Sequence, residues 1–510
     1  MNIPPIDLSK VEVTSDALES IPEDLATYYG VVPIARLGNI LTVAVANPFD
    51  VLKLDDVGLV TGCQLMPVVS TEGTIRRAID RFYKSGEQEM EQLLEDMADP
   101  ELEMTSKPEE EEDAANITAE TGDSPVVKLV NMIIYQAIKS KSSDIHIEPY
   151  EKRLVVRYRQ DGVLYEALVP PKKMQNGIIS RIKVMSDLDI AERRRPQDGK
   201  FQLKVDGRQI DFRVSVLPVI HGEKIVLRIL DSSNLTLNLD ALGFEEKALV
   251  DFRNAINSAY GMILVTGPTG SGKSTTLYSA LKEIMTVEDN IVTVEEPVEY
   301  QLEGINQVPV NVKRGLTFAA ALRSILRQDP DKIMIGEIRD LETVEIAIKA
   351  ALTGHLVLST LHTNDAPSTV TRMVDMGVDP FMIATSVLLV SAQRLCRRLC
   401  KECRGEMEAL PPERMVALGF TEAEAKSNPK IYRAKGCPRC TNGYKGRFAV
   451  LETLPMNEEI RQCIIKGKSA VDIKELALTQ GMITLRRCGL LNVLRGNTSL
   501  DEVMRVTMVD

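Results

Sequence analysis

Gly267-Pro268-Thr269-Gly270-Ser271-Gly272-Lys273-Ser274 follows the apolar run Met262-Ile263-Leu264-Val265 and precedes a helix-forming stretch at 275–285. The eight residues match G-x-x-x-x-G-K-[ST], and the strand–loop–helix setting gives that pattern its physical meaning. Glycines let backbone N–H groups converge on phosphate oxygens, and the N-terminus of the next helix adds the positive end of its dipole. Lys273 is suited to reach the β- and γ-phosphates and Ser274 to put its hydroxyl on Mg²⁺, with Thr275 completing the exit from the loop. A Gly/Ser-rich turn that merely happens to carry a lysine is the plainer alternative, but it would not require the apolar run before it and the helix after it. The stretch reads as a binding loop for ATP or GTP.

Working outward, apolar runs at 262–265, 291–294, 333–335 and 356–360 alternate with helical patterns at 275–285, 317–328 and 341–352. Such alternation predicts a parallel sheet flanked by helices, with ligands at the carboxyl ends of the strands. Two of those ends carry carboxylates. One is Thr293-Val294-Glu295-Glu296-Pro297-Val298-Glu299, and the other is Ile333-Met334-Ile335-Gly336-Glu337, preceded by Asp329-Pro330-Asp331. The second resembles a Walker B segment, with Glu in place of the commoner Asp. The chain has four histidines, His146, His221, His355 and His362, all in segments dense with charge, Gly or Pro. His362 follows a sheet strand beside the expected γ-phosphate position, which suits a sensor or positioning residue better than a metal ligand.

At 510 residues and 44% hydrophobic, the chain is too long for one core and divides into about three or four domains. No run reaches the ~18 apolar residues of a membrane span, and Met1-Asn2-Ile3-Pro4-Pro5-Ile6-Asp7 lacks the basic flank and apolar core of a signal peptide. A cytosolic location is expected. The net charge of −12 is concentrated: residues 87–113 hold thirteen Asp or Glu against Lys107 alone, so the remainder is neutral. A chain that grips long nucleic acid shows a basic domain and stacking aromatics; this one has no Trp, 4% aromatics and only Arg193-Arg194-Arg195 as a basic run.

In order, residues 1–85 read as a small α+β docking module, with strands at 31–34 and 40–45, a helix at 75–83 and turns at Asn47-Pro48 and Thr61-Gly62. Residues 86–123 open on an acidic helical pattern at 88–97 and continue through Pro108-Glu109-Glu110-Glu111-Glu112-Asp113 as a flexible acidic linker. Residues 124–235 form a second α+β domain. There Val126, Val127, Leu129, Val130, Ile133 and Ile134 have helical spacing, strands follow at 153–159 and 208–216, and Arg193 to Gly199 reads as a turn of unusual charge. Residues 236–394 hold the nucleotide core, 395–445 the cysteine-rich segment and 446–510 a helical region.

Cys400-x-x-Cys403 and Cys437-x-x-Cys440 are two knuckles separated by 33 residues, and together they supply the four thiolates of a closed tetrahedral zinc site. Cys396 is near enough in sequence to compete as a ligand. Cys63, Cys463 and Cys488 read as small core residues.

These motifs together resemble the secretion ATPase superfamily, specifically the type II secretion and type IV pilus assembly motors. The resemblance covers about 124–500 and rests on several boxes in the family's order. They are Ser143-Asp144-Ile145-His146-Ile147-Glu148-Pro149, Arg195-Pro196-Gln197-Asp198-Gly199, the phosphate loop, Glu295-Glu296-Pro297, Gly336-Glu337-Ile338-Arg339-Asp340 and the stretch from Gly354 to His362. It implies an α/β architecture: a RecA-like P-loop motor domain preceded by a PAS-like α+β domain and the N-terminal module, with a zinc-stapled C-terminal helical region. It also implies a homohexamer with ATP between subunits, and ATP, Mg²⁺ and Zn²⁺ as cofactors. The expected partners are an inner-membrane platform protein and a membrane partner with a cytoplasmic domain. Membrane association comes only through these partners, and no nucleic acid is expected.

By the same resemblance Glu295 activates water, Glu337 is the Walker B carboxylate and His362 the His-box sensor. Arg213 and Arg228 reach the γ-phosphate from the PAS-like domain, and Arg323 with Arg327 extend that basic cluster, at i,i+4 on one helix face. The acidic box departs from the family's usual Glu-Asp-Pro, which leaves Glu295 the preferred base over Glu296. Assembly motors carry the tetracysteine site, whereas retraction motors are shorter and lack it. Some relatives bind cyclic di-GMP through N-terminal repeats; Arg36-Leu37-Gly38 is similar to one element, without a paired repeat. The expected function is ATP-driven protein secretion by the type II system through pseudopilus extension. The alternatives are type IV pilus assembly and, from another class, a RecA-like nucleic-acid translocase.

Overall fold

The computed structural model describes residues 4, 6–8, 11, 13–18, 20–47, 51–79, 102–104, 124–231 and 237–508. In the N-terminal module Val31–Leu37 pairs antiparallel with Ile40–Val45, which pairs parallel with Gln64–Val69 across the helix Val51–Thr61. Val31, Leu41, Val43, Val45, Val57 and Cys63 form its core. The third strand carries Pro67 and has no clean alternation, which hid it from pattern reading. The expected helix at 75–83 is helical as far as 79, where the described residues stop.

Most of the acidic linker, including the expected helix at 88–97, lies outside the described residues. Leu102–Met104 is an exception: it pairs antiparallel with Leu203–Val205. A stretch expected to be a flexible linker is here a short strand, because an edge strand offers unpaired backbone groups to any extended segment beside it.

The next domain is a seven-stranded antiparallel sheet. From one edge the order is Leu102–Met104, Gln197–Val205, Arg208–Val219, Gly222–Leu230, Asp144–Pro149, Leu154–Gln160 and Val163–Leu168. Helices Pro125–Lys139 and Gln175–Met185 cover one face. Period-two alternation sorts Arg208–Val219: Phe212, Val214 and Val216 enter the core, while Arg213 and Ser215 stay on the uncovered face. Burying each such apolar side chain contributes roughly 1.5–3 kcal/mol. The charged turn expected at Arg193 to Gly199 is shorter than its motif, since Gln197, Asp198 and Gly199 already belong to a strand.

The sheet that carries the phosphate loop also has seven strands, ordered Asn306–Pro309, Ile291–Glu295, Lys332–Ile335, Leu356–Leu361, Gly261–Thr266, Val387–Leu399 and Tyr444–Pro455. The first six are mutually parallel, as alternation requires, and Tyr444–Pro455 pairs antiparallel with Val387–Leu399. That last hairpin was not expected from the sequence. The expected divisions after 394 and after 445 both fall inside its strands. Its far end is closed by the cross-strand pair Leu399 and Tyr444, so the cysteine-rich segment lies between those two residues.

The helix Leu341–Leu352 keeps its expected ends: the Asp340 side chain accepts from Thr343 N at 2.8 Å, and Thr353-Gly354 follows. The helix expected at 317–328 is shorter, Phe318–Ile325. Asp329, with φ of +51°, and Pro330 break the pattern, so Arg327 lies beyond the helix and does not share a helical face with Arg323. Four helices between Glu458 and Val506 complete the C-terminal part. Among the described residues no helix is long and apolar enough to cross a membrane.

Candidate functional site

The parallel strands bring four chain segments to one edge. Thr266 closes the strand before the phosphate loop, Glu295 ends its own strand, Gly336-Glu337 follows Ile335, and His362 follows Leu361. Gly270 at φ +79° and Gly272 at φ +88° supply turns that residues with a Cβ rarely adopt, and the helix Lys273–Ile284 starts directly after them. Lys273 donates to the carbonyls of Gly267 at 2.9 Å and Pro268 at 3.2 Å. Burial pushes its ammonium pKa down to about 8, against the attraction of Glu337 and with added repulsion from Arg394. Ser274 is exposed at the second position of the helix.

The two acidic ends differ in their surroundings. Glu295 is 4% exposed and both its oxygens are engaged. Oε2 accepts from the Tyr278 hydroxyl, while Oε1 accepts from Thr293 Oγ1 at 2.6 Å and Gln307 Nε2 at 3.1 Å. Burial beside this carboxylate pushes the Tyr278 phenol well above its usual range. Glu337 meets His362 Nε2 at 3.0 Å and is paired with Arg339, whose other nitrogen lies 2.7 Å from Glu296. Arg339 therefore bridges Glu296 and Glu337, which leaves Glu295 and Glu296 with separate partners.

Hydroxyls on two strands tie the His362 segment to its neighbours, through Thr266 to the strand before the phosphate loop and through Thr360 to the Glu337 segment. Thr266 Oγ1 bonds to Leu361 O at 3.0 Å and to the Thr363 hydroxyl at 2.7 Å, and Thr360 Oγ1 donates to Gly336 O at 2.7 Å. Arg394 donates to Asn364 O at 2.9 Å.

The arginines divide into two groups. Across the antiparallel sheet, register places Lys200 opposite Arg213, Arg213 opposite Arg228, Arg228 opposite Asp144, and Asp144 opposite Arg159. Like charges placed directly opposite destabilise a sheet, so this row depends on counter-charge. Asp144 supplies part of it, accepting from Arg228 Nε at 3.1 Å. The segment after Glu295 supplies the rest: Arg213 donates to Glu299 at 3.1 Å and to Val298 O at 2.9 Å. Arg213 thus reaches the segment that follows Glu295, whereas Arg228 stays on its own sheet. Both line an open cleft of about 600 Å³ together with Lys200 and Ser215. Arg323 and Arg327 are not brought to the phosphate loop of this chain. Arg323 pairs with Glu342, and Arg327 donates to Arg323 O and Ser324 Oγ, all at an exposed surface.

The four knuckle cysteines converge. Their Sγ atoms all lie within 4.8 Å of one another, with Cys400–Cys437 at 3.9 Å, Cys403–Cys440 at 3.6 Å and Cys437–Cys440 at 3.5 Å. Four thiolates about 2.3 Å from one zinc ion form a tetrahedron with edges of about 3.8 Å, so the donor set fits that metal. Cys396 is not among them; it is fully buried in the core of the phosphate-loop sheet, and burial pushes its thiol pKa up. The chain after Cys440 touches the neighbouring antiparallel sheet: Thr441 donates to Gln160, and Gly446 N, near the start of the strand Tyr444–Pro455, to Asp161 at 2.8 Å.

Tyr278, Gln307, Arg339, Gln393 and Arg394 carry site contacts that sequence reasoning did not assign. Only Arg339, inside a quoted motif, offered any sequence signal.

Residues 119–505 match the family model described as type II/IV secretion system protein, and residues 1–89 match the MshEN domain. The chain is 47% identical over 510 residues to the type IV pilus assembly ATPase PilB of Myxococcus xanthus, covering 100% of this chain and 89% of that protein. It is 44% identical over 475 residues to the type II secretion system protein E of Xanthomonas campestris, covering 93% of this chain and 82% of the relative. Among solved structures, the ATPase DotB of Yersinia pseudotuberculosis aligns with a TM-score of 0.57 at 20% identity, over 81% of this chain and 98% of that one. This last likeness bears on the fold.

Proposed function

Because this chain belongs to the type II/IV secretion system protein family, we propose that its P-loop ATPase activity drives extension of a pilin-type filament from a homohexameric ring. The largely parallel sheet that carries the phosphate loop is the RecA-like core and the fully antiparallel sheet the PAS-like domain. The N-terminal module docks to a membrane partner with a cytoplasmic domain, and the ring works against an inner-membrane platform protein. Membrane association comes through those partners.

The reading rests above all on Arg213, which crosses from one domain to the segment following Glu295 on the other. Phosphoryl transfer spreads negative charge over equatorial oxygens, and a guanidinium that arrives from a separate body couples that charge to movement. In this scheme Glu295 orients and deprotonates the attacking water, and Tyr278, Thr293 and Gln307 fix its carboxylate. His362 registers the γ-phosphate through Glu337. Lys273 and the loop amides bind the phosphates, while Arg213 and Arg228 meet the γ-phosphate when the domains close. Arg323 and Arg327 extend the cluster only across a subunit boundary. Ser274 and Glu337 would hold Mg²⁺, which supplies charge neutralisation at the β- and γ-phosphates. Cys400, Cys403, Cys437 and Cys440 would hold Zn²⁺ as a structural staple, since four thiolates leave no open coordination position.

Secretion through the type II system is one form of this activity. Type IV pilus assembly is the second, and the 47% match to a relative of that name, over 89% of that relative, favours it. ATP turnover by the purified protein, with and without single-stranded DNA, tests the motor class. We expect turnover that DNA leaves unchanged and that Glu337→Gln abolishes. Strong stimulation by DNA would replace the reading with a nucleic-acid translocase.

A further inference from the structure

We propose that Gln393 is a positioning residue for the phosphate loop. It lies on Val387–Leu399, the strand beside Gly261–Thr266, and is 1% exposed. Its side-chain amide works in both directions. Nε2 donates to Ser271 O at 2.8 Å, and Oε1 accepts from Thr276 Oγ1 at 2.8 Å. Thr276 is itself fully buried in the first turn of the helix after the loop. One residue from outside the motif therefore grips the loop on both sides of Lys273.

The first grip has a consequence for phosphate binding. Ser271 C=O and Gly272 N–H belong to one planar trans peptide and point in opposite directions. Pinning the carbonyl toward Gln393 turns the Gly272 N–H to the opposite side of the loop, where a phosphate-binding amide is needed. The glycines show the same closeness. A Cβ on Gly267 would lie 2.5 Å from the Gln393 carbonyl oxygen, and one on Gly272 would lie 2.9 Å from Gln393 Nε2. Two of the motif's three glycines thus make room for this strand as well as for a ligand. A buried amide that lost these partners would be costly, so Gln393 and the loop backbone hold each other in one arrangement.

The proposal rests on the loop being the nucleotide site, and Lys273→Ala in the same assay separates the two claims. The experiment measures the affinity of the full-length protein for a fluorescent ATP analogue, together with kcat, KM and the melting temperature without nucleotide. Gln393→Leu removes both hydrogen bonds. Gln393→Glu keeps the shape and the acceptor for Thr276 but sets an oxygen against Ser271 O. Both variants should bind the analogue about tenfold more weakly, with KM rising in parallel and kcat changing less than about threefold. Thr276→Val should give a smaller loss, and combining it with Gln393→Leu should add less than the sum of the two. Affinity within about twofold of the parent in a folded Gln393→Glu protein would overturn the proposal, whatever happens to the melting temperature. If Gln393→Leu does not fold, the Glu variant decides. If Lys273→Ala binds the analogue normally, the reading of the loop fails and the role of Gln393 falls with it; if Lys273→Ala loses binding while Gln393→Glu keeps it, the role of Gln393 fails alone.

Discussion

The nucleotide site and the tetracysteine centre are built in opposite ways. The centre draws its four sulfurs from two local pairs, Cys400 with Cys403 and Cys437 with Cys440, all inside one excursion of the chain. The proposed nucleotide site draws Glu295, Glu337 and His362 from the ends of separate strands and Lys273 from the start of a helix, and the proposed reading adds Arg213 from another domain. A locally built site can be lost alone. One assembled from several elements responds to every change in how they are held.

Arg213→Ala tests this contrast most severely. It should lower kcat about 10³-fold while ATP affinity stays within about threefold, because the loop amides and Lys273 are untouched. Turnover measured beside nucleotide binding checks it, and normal turnover would make the site a single-domain one.

Cys437→Ser is the converse. Metal analysis should show zinc falling from about one equivalent to a small fraction, with protease sensitivity rising within 400–443 while nucleotide affinity stays within about threefold. A large loss of affinity would show that the two sites are not separable.

The smallest effect concerns the ground between them. Glu502 has no exposed side-chain surface and pairs with Arg397 at 2.7 Å and Arg505 at 2.7 Å. Burial raises its pKa, but the arginine hydrogen bonds outweigh that and hold it at about 2. Its contribution is present in full above about pH 4.5 and is lost as pH falls toward 2, on the order of 3 kcal/mol. Glu502→Gln should flatten the stability profile across that window in denaturant titrations. An unchanged slope would remove Glu502 from the acid response.

How much of this was legible in the sequence follows the same division. The strands and helices around the phosphate loop lie within a few residues of their expected ends, because strict periodicity is framed there by strong stop signals such as Asp340 and Thr353-Gly354. The cysteine spacing marked its own convergence. The hairpin Val387–Leu399 with Tyr444–Pro455 was not legible. Its strands are separated by the cysteine-rich segment, and the first is buried on both faces, so it lacks polar alternation. Tyr278 and Gln393 were hidden for a related reason. Each is an ordinary residue on an ordinary element, and only the tertiary fold shows that Tyr278 meets Glu295 and that Gln393 meets Ser271. Arg323 and Arg327 show the reverse error, in which regular spacing suggested a shared face that the chain breaks before Pro330.

Leu399 and Tyr444 face each other across two neighbouring strands. Topologically, everything between them is the loop of a β-hairpin, and a two-residue turn would close the same pair. The cysteine-bearing stretch is nonetheless not a free appendage: its Met415, Phe420, Ala425 and Ile431 share a buried core with Leu490, Val493, Leu500 and Val503 of the C-terminal helices. Shortening the loop to a turn would keep the strand order and strip those helices of their cover.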